Sequence, residues 1–329
     1  MGALSILPTV NGPRSSLTAW LIGLLCALQA QAEVRILATL PTLHSWAANV
    51  AGDAATVESL LPPNVGPHDF QFRPSDLRKL AAADVVLMNG LGVDTWLTRA
   101  VGQGASKPSR RVVTVTRGLE DRLIHHLTPL AIDDSKGSRK APAKEDHDHD
   151  HDHGHDHAGE DGNPHVWLDP VFAQHCVSNI ITALCQADPA HADGYTRRGE
   201  AYLRELDQLD GEIRSSLKAL TQRKVVTFHD AFPYFCQRYD LKLVGVVEEV
   251  PSVDPSPKYL ARLSRAIRAQ GVRVIFSEPQ FHPRLLKRLA DDLQVGVAEL
   301  DVLETGTASK TFYVEGMRKN LRTLEAALR

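Results

Sequence analysis

Short apolar segments and amphipathic segments alternate along this chain, and the alternation occurs in two separate stretches. The predicted strands are 34–40, 57–61, 84–89, 111–116, 224–228, 243–246, 272–276 and 297–300. The predicted helices between and after them are 43–51, 74–82, 94–101, 233–239, 258–270, 284–293 and 311–328. Strands that are separated by helices favour a parallel sheet with helices on both faces. The pattern therefore predicts two α/β lobes.

A long amphipathic segment separates the two stretches. Residues 190–222 keep a helical period, with an apolar stripe of Tyr195, Tyr202, Leu206, Leu209, Ile213 and Leu217. At about 1.5 Å per residue such a helix exceeds about 40 Å, long enough to join two lobes. We predict two Rossmann-like lobes with parallel sheets, 33–189 and 223–329, joined by a backbone helix at 190–222.

The N-terminal 32 residues have the features of a signal peptide. Arg14 precedes an apolar run from Leu17 to Ala30, and Ala30-Gln31-Ala32 is an A-x-A cleavage signal. The run is short for a membrane span. The sequence predicts an exported protein that is cleaved after Ala32 and is located in the periplasm, with a retained signal anchor as the alternative.

Charge and cysteine content exclude some classes of protein. The formal net charge is -3, which argues against nucleic acid or an anionic membrane as the main partner. Cys176 and Cys185 lie nine residues apart on one predicted helix and cannot pair with each other. Either one of them pairs with Cys236, or all three are small buried residues, which we favour. No CxxC spacing indicates a thiolate zinc site.

The first α/β stretch is followed by a polar segment rich in histidine. Residues 131–162 contain almost no apolar side chains and cannot bury a core, so we predict a disordered loop. Within it, 146–157 alternates histidine with aspartate, and these imidazoles could form weak auxiliary metal sites: His147, His149, His151, His153, His155 and His157. The tract is interpreted either as a zinc collector near a tighter site or as a solvated linker.

Four candidate metal ligands occupy comparable positions in the two stretches. His68 lies in a loop after a strand, His165 between the polar loop and a helix, and His229 and Asp301 directly after strands. Ligands of open α/β sheets bind outside the carboxyl ends of the strands, so these residues can meet in one interlobe cleft. Three imidazoles and one carboxylate suit tetrahedral Zn²⁺.

Other acidic residues near these positions have different predicted roles. Glu278 also follows a strand, and we expect it to orient a ligand rather than to bind metal. Asp169 is better explained as the N-cap ahead of Pro170. Asp301 and Asp230 could equally be turn or helix-cap acids, and a lone histidine in a loop is more often a surface residue than a ligand.

Five motifs in order resemble the metal-binding solute receptors of bacterial ABC transporters: Gly66–Phe70 with Arg73–Asp76, Asn163–Pro170, Phe228–Phe232, Phe276–Phe281 and Glu299–Asp301. The resemblance covers essentially the whole chain after residue 32. It implies two lobes, limited motion on binding, and the ligand set His68, His165, His229 and Asp301. Zinc receptors of this family usually carry His where His229 stands, and manganese receptors Glu. A second-lobe disulfide found in many zinc members is not expected, because only Cys236 lies there.

The predicted function is therefore capture of Zn²⁺ and delivery to an ABC permease in the inner membrane, without catalysis. Four protein ligands leave no position for a reactive water. Affinity is expected to fall below about pH 6, because binding needs neutral imidazoles. We expect a monomer, and a periplasmic zinc chaperone as a further partner. The alternatives are a manganese or iron receptor of the same fold, a secreted zinc hydrolase with Asp230 or Glu278 as base, and a zinc buffer or adhesin that depends on the tract.

Overall fold

The computed structural model describes residues 33–102, 110–125, 162–248, 253–280 and 284–329. The predicted signal peptide, its cleavage site and the histidine tract at 146–157 lie outside these residues and stay predictions. No helix of the described part of the chain combines the length and the apolar character that a membrane crossing requires.

The first half of the chain forms a four-stranded parallel sheet. Its strands are β1 (Val34–Ala38), β2 (Ala55–Ser59), β3 (Val85–Met88) and β4 (Arg111–Thr114). They lie in the order β2-β1-β3-β4, so the strand order reverses beside β1. The helices that connect them are α1 (Pro41–Ala51), α2 (Pro74–Ala82) and α3 (Thr95–Gly102). All four residues of β3 are buried, as expected for a strand covered on both faces.

The second half repeats this topology. Its strands are β5 (Lys224–Thr227), β6 (Lys242–Val246), β7 (Val274–Ser277) and β8 (Gly296–Glu299), in the parallel order β6-β5-β7-β8. Its helices are α6 (Pro233–Arg238), α7 (Pro257–Gln270), α8 (Arg284–Leu293) and α9 (Phe312–Leu328). The predicted fold class, two parallel-sheet α/β lobes with a long helix, is confirmed.

Two further helices lie between β4 and β5 along the chain. Helix α4 (Pro170–Ala187) begins where predicted, and Asp169 caps it by accepting a hydrogen bond from the Val171 backbone N–H at 2.9 Å. Helix α5 (Ala192–Lys218) is the predicted long helix, shorter at both ends than expected. Its whole predicted apolar stripe is buried, together with Gly199, where α5 lies close to Ile181 of α4.

Proline marks the beginning of many of these helices. Its fixed φ suits the first helical turn, where its missing N–H leaves no hydrogen bond unmade. The helices that begin in this way are α1, α2, α4, α6 and α7. Helices α2, α4 and α6 follow the loops that contain the predicted ligands His68, His165 and His229. Their prolines therefore mark where these loops end.

Several hydrogen bonds connect the end of β8 to the first half of the chain. The indole Nε1 of Trp167 donates to the Val302 carbonyl at 2.7 Å, and Oγ1 of Thr42 donates to the Leu303 carbonyl at 2.6 Å. The Gly306 backbone N–H donates to the carbonyl of Pro63 at 2.7 Å. One buried core also continues from the first sheet through α5 to α9. The loop after β8 is thus positioned by both halves.

The described cysteines do not pair. Cys176 and Cys236 are buried and Cys185 is half-buried, and all three are free thiols. This agrees with the favoured interpretation for two of them, whereas Cys185 is only partly covered. Burial raises the pKa of the Cys236 thiol to about 12, so this side chain is a neutral packing residue.

Candidate metal centre

Three of the four predicted ligands come together in the structure. His68, His165 and His229 each offer a ring nitrogen, and Glu304 offers a carboxylate oxygen, all within 4.8 Å of one another. The Nε2 atoms of His165 and His229 are 3.2 Å apart. Tetrahedral ligands about 2.05 Å from a zinc ion are separated by about 3.3 Å, so this pair has the spacing that such an ion requires.

His229 is fixed by a buried carboxylate. It follows β5, and its Nδ1 donates to Oε1 and Oε2 of Glu278, at 2.8 and 2.7 Å, while its backbone N–H donates to Oε1 at 3.1 Å. Glu278 follows β7, the neighbouring strand. With Nδ1 occupied, Nε2 of His229 is left to face the other imidazoles. Such a carboxylate–histidine pair fixes the ring and increases its basicity as a metal ligand.

His165 is oriented by an amide instead. Its Nδ1 and its backbone N–H both lie 3.0 Å from Oδ1 of Asn163. The Nδ2 of Asn163 donates to the carbonyl of Asp230 at 2.7 Å, next to His229. No role was predicted for Asn163, because a polar residue in a loop resembles any turn residue. Here it orients a candidate ligand of one lobe and contacts the other lobe.

His68 is the exposed member of the group. It lies in the loop between β2 and α2, whose Pro67 carbonyl accepts a hydrogen bond from Nε1 of Trp96 at 3.2 Å. His165, His229 and Glu304 are buried, at 3%, 2% and 3% exposure. The candidate site is therefore open to solvent on the side of His68.

Glu304, rather than the predicted Asp301, occupies the fourth position. The Oδ1 of Asp301 accepts a hydrogen bond from the Leu303 backbone N–H at 2.8 Å. The backbone N–H of Asp301 donates to Oδ1 of Asn320 in α9, and the Asp301 carbonyl accepts a hydrogen bond from Nδ2 of the same amide. Leu303 has a left-handed φ of 62°, rare for a residue with a side chain. Asp301 thus stabilises the turn, and the next acidic residue along the chain, Glu304, reaches the imidazoles.

The charges of the group are distributed unevenly. Burial lowers the pKa of His229, but Glu278, Glu304 and Glu248 outweigh it and raise the pKa to about 9. Burial and the charge of His229 lower the pKa of His165. Desolvation of the ring by the surrounding protein and the charge of His229 also lower the pKa of His68, to about 4, although part of this side chain reaches solvent. Burial raises the pKa of the Glu304 carboxyl to about 7, against the opposing effect of His229. Near neutral pH His229 is therefore protonated, and the Glu304 carboxyl is close to the midpoint of its titration.

The site combines three imidazoles with one carboxylate oxygen that lacks a partner. Within the described ranges, Oε2 of Glu304 is buried without a hydrogen bond, 3.8 Å from Nε2 of His165. An unpaired buried oxygen is costly unless it binds a cation or a donor. Nitrogen ligands with one carboxylate suit borderline divalent ions such as zinc.

Comparison with known proteins identifies the family. The model of the zinc-uptake complex component A family (ZnuA, periplasmic) matches residues 36–327. The chain belongs to the ZnuA family. The resemblance to metal-binding receptors of ABC transporters is thereby confirmed, and the family is described by transport rather than by catalysis.

Individual relatives agree with this assignment. The zinc-binding protein AdcA of Streptococcus pyogenes serotype M3 is 28% identical over 311 residues, which are 93% of this chain and 58% of AdcA. This ZnuA-family chain thus spans little more than half the length of that relative. The high-affinity zinc uptake system protein ZnuA of Bacillus subtilis is 27% identical over 303 residues, 90% of this chain and 88% of that protein.

A solved structure shows the same fold with another metal. The SBP FpvC from Pseudomonas aeruginosa, in complex with Mn²⁺, matches with a TM-score of 0.72 and 26% sequence identity. The match covers 90% of this chain and 98% of that one. Membership of the fold therefore does not by itself decide the metal.

Proposed function

We propose that this protein is a zinc receptor that captures Zn²⁺ in the periplasm and delivers it to an ABC permease. The observation that supports it most directly is the convergence of His68, His165, His229 and Glu304 within 4.8 Å. These are the proposed zinc ligands, with Glu278 orienting His229 through the ring nitrogen that faces away from the site. The predicted ligand Asp301 is replaced by Glu304 in this proposal.

Binding without chemistry follows from the number of ligands. Four protein ligands complete a tetrahedral zinc shell, whereas catalytic zinc keeps a position for water. Asp230, one of the bases considered for a hydrolase, is buried and does not belong to the group of described residues whose ligand atoms could hold one ion. Glu278 accepts a hydrogen bond from Nδ1 of His229, on the side of the ring that faces away from the other imidazoles. Neither arrangement favours activation of a water at the metal.

The experiment that tests the proposal is a competition titration of the purified metal-free protein with Zn²⁺ against a chromophoric chelator. One zinc ion per chain with nanomolar or tighter affinity is expected, about 12 kcal/mol or more of binding free energy. Replacement of His229 by alanine should abolish this tight site. Equal affinity of the wild type and His229→Ala would contradict the proposed ligand set.

The second candidate is a manganese receptor, favoured by the Mn²⁺ complex of the structurally similar FpvC. Mn²⁺ prefers harder oxygen ligands and higher coordination numbers than three imidazoles and one carboxylate provide. We therefore expect zinc to displace manganese when both are present in equal amounts. Retention of manganese against equimolar zinc would favour the second candidate.

A further inference from the structure

Gln280 lies between two carboxylates of the site. Its Nε2 donates to Oε2 of Glu278 at 3.0 Å and to Oε1 of Glu304 at 3.3 Å. A side-chain amide has two N–H donors, and both are used here. Only the NH₂ end of the amide can face two carboxylates, so the neighbours fix its orientation.

The two oxygens of Glu304 have different surroundings as a result. Oε1 accepts the hydrogen bond from Gln280, whereas Oε2 has no hydrogen-bond partner among the described residues and lies 3.8 Å from His165 Nε2. The carboxylate is 3% exposed, so solvent does not compensate for the missing partner of Oε2. One oxygen is thus directed at the imidazoles and the other is engaged elsewhere.

This difference bears on which ions the site can accommodate. A carboxylate that binds through one oxygen completes a four-coordinate shell with three imidazoles, the number that zinc prefers. The same carboxylate binding through both oxygens would give five ligands and a harder oxygen environment, which suits Mn²⁺ better. A hydrogen bond from Gln280 occupies one lone pair of Oε1 and holds this oxygen towards the amide, so it biases the carboxylate towards binding through Oε2 alone.

We propose that Gln280 contributes to metal specificity: by donating to Oε1 of Glu304, it favours binding of the metal through Oε2 alone and disfavours ions that need five or six ligands. The inference rests on the proposed function, since it concerns the same site. Gln280 acts through Glu304 and is a positioning residue. Its second hydrogen bond, to Oε2 of Glu278, connects the amide to the carboxylate that orients His229.

The test compares the wild type with Gln280→Met, which keeps the length of the side chain and removes both donors. Gln280→Leu is a second variant without donors. The matched control is Gln222→Met, because Gln222 is also half-buried but lies before the amino end of β5, whereas Gln280 follows the carboxyl end of β7. Zinc and manganese affinities are measured by competition, and bound Co²⁺ is examined by visible absorption, which is intense for tetrahedral and weak for higher coordination.

We expect the zinc-to-manganese affinity ratio to fall about tenfold in Gln280→Met and Gln280→Leu, and to stay unchanged in Gln222→Met. The Co²⁺ absorption should be intense in the wild type and in the control, and should weaken in the two Gln280 variants. A purely structural role would lower both affinities together and leave the absorption per bound ion unchanged.

Unchanged ratios and spectra in both Gln280 variants would overturn the inference while leaving the proposed function intact. Weak, high-coordination absorption of the wild-type Co²⁺ form would overturn it without recourse to any variant. A wild-type protein that binds neither zinc nor manganese tightly would overturn the proposed function itself.

Discussion

Oδ1 of Asn163 accepts a hydrogen bond from Nδ1 of His165, 3.0 Å away. The same amide donates to the Asp230 carbonyl at 2.7 Å, so one side chain orients a candidate ligand and connects the two lobes. The interaction leaves Nε2 of His165 free for the metal, which is the usual arrangement of histidine ligands.

Replacement of Asn163 by alanine should weaken zinc binding. The His165 ring would lose the acceptor that fixes its tautomer, and removal of such partners typically costs about 10–100-fold in affinity. Asn163→Asp keeps the acceptor and should retain more of the affinity. Competition titration of both variants against the wild type checks this, and equal losses in the two variants would show that the acceptor is not what matters.

Replacement of Glu304 should affect zinc affinity far more than replacement of Asp301. Glu304→Gln should reduce zinc affinity by at least about 100-fold, or about 2.7 kcal/mol, because the anionic oxygen that faces the imidazoles is lost. Asp301→Asn keeps an Oδ1 acceptor for the Leu303 N–H and should change zinc affinity little. The sequence-based ligand assignment would be restored if Asp301→Asn proved the more damaging substitution in a zinc titration.

The affinity for zinc should decrease from a higher pH than the histidines alone would suggest. His229, with its pKa raised to about 9, binds a proton that zinc must displace, so affinity should fall about tenfold per unit as pH drops below that value. Below about 7, protonation of Glu304 should steepen the decline. Titrations between about pH 5 and 9 measure the slope.

Glu278→Gln provides the control for this pH dependence. The glutamine keeps an acceptor for the His229 ring but removes the charge that raises its pKa. The onset of the decline should therefore move to lower pH. An affinity that is constant from about pH 9 to 7 in the wild type would contradict the protonated state inferred for His229.

The close approach of α4 and α5 can be tested with two glycines of the same helix. A Cβ at Gly199 would overlap the Ile181 side chain, so Gly199→Ala should lower the free energy of unfolding by about 1–3 kcal/mol. Nothing lies within 4 Å of a Cβ at Gly211, so Gly211→Ala should raise it by about 0.5–1 kcal/mol. Urea unfolding measures both, and stabilisation by Gly199→Ala would show that the helices can separate freely.

Deletion of the histidine tract, 146–157, should leave the tightest zinc site nearly unchanged. The proposed ligands all lie elsewhere in the chain, and the tract would contribute only weaker additional sites. Zinc stoichiometry and affinity of the deletion variant provide the measurement. Loss of all tight binding on deletion would favour the zinc buffer or adhesin considered from the sequence.

The sequence predicted the fold well because its periodicity is repeated and strong. Strands such as β3 are continuous apolar runs, and helices such as α2 begin at a proline, so their bounds could be placed to within a few residues. The imidazoles could be predicted because each lies in a loop beside a strand or helix that the pattern defines.

The other residues of the site, Glu304, Gln280 and Asn163, could not be predicted because their roles depend on turn geometry and on hydrogen-bond partners. Glu304 reaches the imidazoles through the left-handed turn at Leu303, and no glycine or asparagine marks that turn in the sequence. In the sequence, Glu304 stands between the apolar pair Val302-Leu303 and Gly306, a weak signal that this acid adjoins buried residues. Gln280 and Asn163 are ordinary polar loop residues until their partners are known.

The carbonyls of Val302 and Leu303 accept hydrogen bonds from Trp167 and Thr42 of the first lobe. If the lobes separate, the turn that contains Glu304 therefore cannot move with the second sheet while these hydrogen bonds remain. Either these bonds break, or the hydrogen bond between Gln280 and the Glu304 carboxylate does. A trapped ion would escape in one collective opening rather than by shedding its ligands one at a time. On the proposed function, the residence time of the ion would then be set by how often that opening occurs.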